Sequence, residues 1–127
     1  MTQTPGNQQP RELNAEEYNE FITGLPDGIT YQVQDPVTKL MYDFDGFANG
    51  HLIWTIANFD KQFDAVVGPL PGGIEQAYIE SARLQDAVRQ GYPIMWCVQK
   101  PQDVERLRAV LADGGVTSIV VQHEAPE

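Results

Sequence analysis

Two aspartates, Asp43 and Asp45, stand two positions apart in the stretch "LMYDFDGFANGHLIW", between an apolar run and a glycine. Carboxylates at this spacing can hold a divalent cation or take part in phosphoryl transfer, and aspartates before glycine are also common in turns. An EF-hand calcium loop is excluded, because its fifth and sixth positions would be Phe47 and Ala48 instead of an oxygen ligand and a glycine. A metal-assisted site and a turn remain as interpretations.

His51 is the residue that could complete a transition-metal site with the two aspartates, since it would face them across a hairpin. Three such ligands without a second histidine or a cysteine form a poor zinc set. In the turn interpretation, Asp45-Gly46 and Asn49-Gly50 serve the backbone geometry of a hairpin loop. We favour the turn and expect no metal ligands and no cofactor; Asp43 and Asp45 are the metal ligands only under the alternative interpretation.

The stretch "LMYDFDG" resembles the first motif of the haloacid-dehalogenase-like phosphatases, a strand that ends in D-x-D-G. The resemblance implies magnesium, with Asp43 as nucleophile and Asp45 as acid and base. The later stretch "QKPQDVERLRAVLADGGVTSIVVQ" is similar to the lysine, helix and strand of that family, which implies Lys100 as the matching lysine. The acids expected after the last strand are replaced by "QHEAPE", and Thr55 follows Asp43 too closely for a parallel crossover. A small metal-dependent hydrolase is therefore the alternative function.

Composition and charge bound the class of protein. The chain has 127 residues, which suits one domain, and its 18 acidic and 8 basic residues give a formal charge of −10. Such a surface is repelled by phosphate backbones and anionic lipids, so we expect no nucleic-acid or membrane partner. The sequence has a single cysteine and begins with no basic and apolar signal pattern, so we expect a cytoplasmic protein.

The first half of the chain reads as a leader, a helix and three strands. Residues 1–11 carry no apolar anchor and are predicted to be disordered. A capping box of Asn14 and Glu17 predicts a helix through "AEEYNEFITGL", which Gly24 and Pro26 stop. Strands are predicted at 29–34, 40–44 and 51–57, and together they form an antiparallel meander. Residues 59–67 fit either a helix or a strand.

The second half contains a loop, two helices and two strands. The glycines and prolines of "GPLPGG" predict a loop, and helical patterns follow at 74–90 and 101–113. Strands are predicted at 93–99, where Cys97 should be a buried core residue, and at 116–122, so that a C-terminal β-α-β unit forms. We predict a single α+β domain over residues 12–122 with a flexible tail at 123–127. Its one mixed sheet carries helices mainly on one face.

No convergent set of acid, base and nucleophile appears in the sequence. We therefore expect a non-enzymatic protein–protein interaction module: an inhibitor- or immunity-like protein, a chaperone-like protein or an assembly subunit, which binds another protein or forms a homodimer. Phe47 stands at a hairpin tip where burial is difficult, and "GPLPGG" is a loop suited to ligand contact. The candidate binding residues are Phe47, Asn49, His51, Pro69, Leu70 and Pro71.

Overall fold

The computed structural model describes residues 12–26, 28–64 and 68–126, so the predicted leader at 1–11 lies outside the described residues. The described chain contains helices and strands in an α+β arrangement, which confirms the predicted fold class. The helices are α1 (Ala15–Thr23), α2 (Gly73–Val88) and α3 (Pro101–Gly114). The strands are β1 (Tyr31–Gln34), β2 (Met41–Phe44), β3 (Gly46–Ala48), β4 (His51–Ile56), β5 (Ile94–Val98) and β6 (Ile119–His123).

The strands form two sheets, and the prediction of a single sheet is wrong. A four-stranded mixed sheet has the order β3-β4-β5-β6, and a separate two-stranded sheet joins β1 to β2. The backbone changes partners at Asp45: β2 pairs antiparallel with β1, and β3 pairs antiparallel with β4. The predicted three-stranded meander is therefore correct only for its first pair, because β4 takes its neighbours from β3 and β5.

Two consecutive β-α-β units build the larger sheet. The predicted C-terminal unit is confirmed, since β5 and β6 are parallel and α3 connects them. A second unit precedes it, because β4 is also parallel to β5 and α2 connects this pair. Successive right-handed crossovers in one direction place their helices on the same face, and α2 packs against α3 there.

Side chains of the central strands alternate between two covered faces. Leu52, Trp54 and Ile56 of β4 join the main core beneath α2 and α3. On the opposite face, Ile53 and Cys97 share a groove with Ile22 of the short helix α1. Both faces of β4 and β5 are in large part buried, so the sequences of these strands are mostly apolar, as is typical of parallel sheets.

Local sequence signals set the helix ends. Asn14 and Glu17 form the predicted capping box of α1, and Gly24 ends this helix with a φ of 72°. Pro101 occupies the first turn of α3, and Gly115 ends it with a φ of 71°. The ambiguous segment 59–67 begins as a 3-10 turn at Phe59–Lys61, while residues 65–67 lie outside the described residues.

His123 and Glu124 are hydrogen-bonded or paired to the sheet. His123 is the last residue of β6, so the predicted tail at 123–127 begins inside this strand. The Glu124 amide donates to the Val98 carbonyl at 2.9 Å. The Tyr18 hydroxyl of α1 donates to the Glu124 carbonyl at 2.6 Å, which joins the first helix to the last strand. None of the helices in the described segments is long and apolar enough to span a bilayer.

Candidate functional site

Asp43 and Asp45 have separate surroundings. Asp43 is exposed on β2, and its carboxylate accepts from Gln32 Nε2 at 2.9 Å. Asp45 lies at the bend between β2 and β3, where one carboxylate oxygen accepts from Thr55 N at 2.7 Å and from Thr55 Oγ1 at 3.0 Å. Its other oxygen accepts from Asn19 Nδ2 at 2.9 Å. The Asp45 carboxylate thus connects α1 to β4.

Burial raises the pKa of the Asp45 carboxyl above its ordinary value, and the hydrogen bonds from Thr55 and Asn19 oppose that shift. The three donors fix the position of the Asp45 carboxyl group relative to Thr55 and Asn19. These contacts explain the break between β2 and β3, because Asp45 directs its side chain toward Thr55 and α1.

The residues of the alternative hydrolase site are not brought together. Lys100 Nζ pairs with Glu12 at 3.2 Å and lies just before α3. Cys97 is the ladder partner of Thr55, and Lys100 follows Cys97 by three residues. Three residues of extended strand span roughly 10 Å, so Lys100 lies about that far along the chain from the position beside Thr55. His51 Nδ1 lies 3.0 Å from the Asn49 carbonyl. Across residues 12–26, 28–64 and 68–126, no group of three metal-ligating side chains could hold an ion.

The chain reverses at the second of the two predicted turn pairs. Asn49 and Gly50 have φ values of 54° and 80°, the left-handed pair required by a two-residue hairpin between β3 and β4. Gly46 is not part of this turn, since it is the first residue of β3. A Cβ there would be 3.0 Å from Thr23 Cγ2, so glycine permits the close approach of α1. The assignment of Asp45-Gly46 to the hairpin turn is therefore wrong.

Three exposed aromatic side chains meet beside the edge strand β3, and we call Tyr31, Phe47 and Tyr92 the aromatic surface. Their exposed fractions are 43%, 39% and 46%. The Tyr31 and Phe47 rings stack with centroids 5.3 Å apart, and the Tyr92 ring meets Phe47 edge-on, also at 5.3 Å. Aromatic pairs at such separations stabilise one another, so the three rings form a preorganised apolar patch.

The position of each ring follows from its element. Phe47 is opposite Leu52 in the β3–β4 ladder, and it remains exposed because β3 is the edge of the sheet. Tyr31 opens β1. Tyr92 follows α2, and two hydrogen bonds hold it to Arg89, one from the Tyr92 amide at 2.9 Å and one from Arg89 Nη1 at 3.2 Å.

The predicted binding residues do not form one surface. Phe47 belongs to the aromatic surface, Asn49 is exposed in the turn, and His51 lines a groove on the α1 face. Pro69, Leu70 and Pro71 precede the first residue of α2, whereas Tyr92 follows its last. A helix of 16 residues separates these ends by about 24 Å.

Two members of the aromatic surface were missed by the sequence analysis. Tyr31 and Val33 share one face of the strand predicted at 29–34, but only Val33 is buried. Tyr92 stands in "QGYPI", between the end of α2 and the start of β5. An aromatic residue between a glycine and a proline in a connection is a signal that could have identified it, because loops run over the surface.

Cys97, Asp103 and Gln99 are buried side chains in or beside the central sheet. Cys97 is 3% exposed in the central strand β5, as predicted, and burial raises its pKa to about 11. Asp103 in the first turn of α3 accepts from the Phe59 amide at 3.0 Å. Gln99 exchanges two hydrogen bonds with the Leu13 backbone, at 2.8 and 3.0 Å, and so fixes the segment before α1.

Comparisons of this chain with protein-family models, with curated proteins and with solved structures found no match. The fold class and the geometry of the chain itself are therefore the basis for inferring its function.

Proposed function

We propose that this protein is a non-enzymatic protein-binding module and that the partner docks on the aromatic surface. The observation that carries the proposal is the contact between three rings that each remain about two-fifths exposed or more, Tyr31, Phe47 and Tyr92. Tyrosine and other aromatic residues are enriched at positions that dominate binding energy, because they supply a large contact area with few rotatable bonds.

The rings are supported in a way that suits recognition. Each belongs to a different part of the chain, namely the start of β1, strand β3 and the connection after α2. Mutual packing limits the freedom of the three side chains before a partner arrives, so binding would order few additional groups. Ile29, two residues before Tyr31, is 50% exposed and extends the apolar character of this part of the chain.

The charge of the chain favours a particular kind of partner. A formal charge of −10 attracts basic proteins over long distances and accelerates their encounter, while it slows the approach of acidic ones. The aromatic surface then supplies the short-range apolar contact. An inhibitor or immunity-like role against a basic protein, a chaperone role and a subunit role all use this combination of features.

The test compares substitutions at two exposed aromatic positions. Tagged wild type, the double variant Phe47→Ala/Tyr92→Ala and the control Phe21→Ala are used to capture proteins from the source cell, followed by quantitative mass spectrometry. Phe21 is a matched control because it is an aromatic residue of 47% exposure on α1, away from the aromatic surface. Circular dichroism establishes that all three proteins are folded.

We expect a partner that wild type and Phe21→Ala retain and that the double variant loses. With that partner purified, the double variant should bind at least roughly 30-fold more weakly, which corresponds to about 2 kcal/mol, the lower bound for a dominant contact. If the double variant retains every captured protein with undiminished affinity, the proposal is wrong.

A further inference from the structure

The face of the large sheet that lies opposite α2 and α3 is covered unevenly. Helix α1 packs on this face against β3 and β4. Among the described residues, no second helix lies beside α1, because α2 and α3 pack against the main core on the other face. Parallel strands normally have helices on both of their faces. The half of this face that belongs to β5 and β6 therefore has less cover than a parallel sheet usually has.

One row of side chains across three strands shows where the cover ends. Ile53 of β4, Met95 of β5 and Val120 of β6 are ladder partners, so their side chains lie in one row on the α1 face. The exposed fraction rises from 6% at Ile53 to 51% at Val120, and Met95 between them is half-buried. Helix α1 therefore covers β4 and leaves an apolar part of β6 open.

Helix α1 directs an aromatic ring toward this open half. Asn19 donates to Asp45, so that side of α1 faces β3. Phe21 follows Asn19 by two residues and lies about 160° around the helix from it, on the side toward β6. Its ring is 47% exposed. We call Phe21, Met95 and Val120 the open strip.

A groove of about 260 Å³ runs between α1 and the open strip. Its lining includes Ile22 of α1, Met95 and the predicted binding residue His51. Gln122 and Glu124 also line the groove, and the Gln122 side chain donates to the Glu124 carboxylate. The groove thus joins apolar side chains to a polar end that carries an acid.

We propose that the open strip is the docking site for an amphipathic helix of a partner protein and that the polar face of this helix is basic. Strands β4 and β6 lie two strand spacings apart, which is about 10 Å. Packed helices have axes roughly 8–10 Å apart, so a helix beside α1 lies over β5 and β6. The apolar stripe of the docked helix contacts Phe21, Met95 and Val120, as in other helix-in-groove complexes.

The charge of the partner helix follows from the acids beside the strip. Residues 15–23 of α1 contain three glutamates and no lysine or arginine. Glu124 lines the groove, and the described part of that lining contains no lysine or arginine. Lysine or arginine side chains on the flanks of the docked helix therefore meet carboxylates, whereas acidic flanks are repelled.

This chain does not supply the docking helix itself. Helices α2 and α3 already bury their apolar faces in the main core, so a second copy has no free apolar helix to offer. Residues 1–11, "MTQTPGNQQPR", contain one large aliphatic residue, Met1, and two prolines. That composition provides no apolar helical stripe.

The probe is a synthetic helical peptide of about 14 residues with leucine at every third or fourth position, lysine on the opposite side and alanine elsewhere. It is titrated into the full-length protein. One control peptide has the same composition, with its leucines distributed around the helix. The other has glutamate in place of each lysine. Methyl resonances in NMR spectra report the contact, because Met95 lies in the strip and Met41 is 45% exposed on β2.

The striped lysine peptide should move the Met95 and Val120 methyl resonances saturably and leave the Met41 resonance in place. Each control peptide should bind at least roughly 10-fold more weakly, because it lacks either the apolar stripe or the complementary charge. Added salt should weaken binding of the lysine peptide, since it screens the attraction between opposite charges.

Two variants alter the borders of the strip. Val120→Lys places a cation where the basic helix docks and should raise the dissociation constant at least roughly 10-fold. Val37→Lys is its matched control, because Val37 is 85% exposed in the β1–β2 turn and the net charge changes equally. It should bind like wild type. Phe21→Ala should also weaken binding, and circular dichroism establishes that the variants are folded.

The proposal is overturned if the striped peptide causes no saturable shift at Met95 at up to roughly 1 mM, the limit of weak binding. Equal binding of either control peptide, or undiminished binding by Val120→Lys, also overturns it. A Met95 resonance that moves with protein concentration alone, as the molar mass doubles, would identify a second copy as the occupant instead. The Phe47→Ala/Tyr92→Ala variant should bind the peptide like wild type, so this proposal and the aromatic surface fail separately.

Discussion

At the scale of single residues, Asp45 illustrates how a residue suited to chemistry can serve structure. Its carboxylate receives hydrogen bonds from Thr55 and Asn19, and burial raises its pKa. The folded protein therefore binds the Asp45 proton more tightly than the unfolded chain does. Ionisation of Asp45 costs stability as pH rises from the ordinary carboxyl range through the raised pKa of the folded state.

Asp45→Asn should alter the pH dependence of unfolding in a defined direction. The free energy of unfolding of wild type, relative to that of the variant, should fall as pH rises from about 4 through the raised pKa and should then level off. Urea unfolding from about pH 3.5 to pH 7 measures this difference. Asp43→Asn, at an exposed position, should change stability by less than ~0.5 kcal/mol at neutral pH. If the free energy of unfolding of wild type rises with pH relative to that of Asp45→Asn, the pKa of Asp45 is not raised in the folded protein.

Cys97 should react slowly with thiol reagents in the native protein. The thiolate is the reactive form, and burial both raises the Cys97 pKa to about 11 and restricts access to the 3% of its surface that is exposed. Labelling with a chromogenic disulfide reagent at pH 7.5 to 8, with and without denaturant, measures the rate. We expect prompt, complete labelling only in denaturant; fast stoichiometric labelling of the folded protein would show that β5 is open on the α1 face.

At the scale of elements, the helices are attached to the sheet in different ways. Helix α3 buries Val104, Leu107, Val110 and Leu111 against the core. Helix α1 buries only Tyr18 fully, and polar contacts from Gln99, Asp45 and the Glu124 carbonyl position it. The attachment of α3 should therefore depend on apolar packing, and that of α1 on a few hydrogen bonds.

Leu107→Ala should lower the free energy of unfolding by ~2–5 kcal/mol, because Leu107 is fully buried and its removal leaves a cavity. Chemical denaturation measures the loss. Gln102→Ala, at an exposed position of the same helix, is the control and should change stability by less than ~0.5 kcal/mol. Equal effects of the two substitutions would show that α3 does not pack on the sheet through Leu107.

Gln99→Leu should loosen the start of α1. It removes the side-chain partners of the Leu13 amide and carbonyl and of the Ala57 carbonyl, which accepts from Gln99 Nε2 at 3.1 Å. Since unsatisfied polar groups are costly, we expect a loss of ~1–3 kcal/mol and faster hydrogen exchange at Leu13. Gln32→Leu on the exposed face of β1 should leave Leu13 exchange unchanged. Unaltered exchange in Gln99→Leu would mean that α1 is held by other contacts.

At the scale of the whole molecule, the net charge of −10 affects the stability of the folded state and the association of the protein with other molecules. Acidic side chains outnumber basic ones by more than two to one, so most of them have no cation available. Mutual repulsion of these carboxylates destabilises the folded state, and dissolved salt screens it within a Debye length of about 10 Å at 0.1 M.

Salt should therefore stabilise the protein near neutral pH. We expect the thermal midpoint at low protein concentration to rise by roughly 3–5 °C between low salt and about 0.3 M NaCl, which corresponds to about 1 kcal/mol. Differential scanning fluorimetry measures the shift. Near the sequence pI of about 4.4 the net charge disappears, and the same salt series should show no such rise. A midpoint that falls with salt at neutral pH would mean that attractive ion pairs outweigh the repulsion.

The sequence by itself determined the features that depend on neighbouring residues. The capping box of Asn14 and Glu17, the end of α1 at Gly24, the start of α3 at Pro101 and the buried strand around Cys97 were all predictable. These features rest on hydrogen bonds and apolar spacings within a few positions of the chain. The α+β class follows from them, because it requires only the order of helical and extended segments.

Only the tertiary structure decided which strands pair and which side chains meet. The local sequence patterns of β2 and β4 indicate strands but do not specify their partners, so the sequence could not show that β2 pairs with β1 or that β4 lies parallel to β5. Likewise, Tyr31, Phe47 and Tyr92 meet only because three elements converge at one edge. Strand partners are selected by the burial and backbone hydrogen bonding that segments far apart in the chain achieve together. A local sequence pattern contains no information about those distant segments.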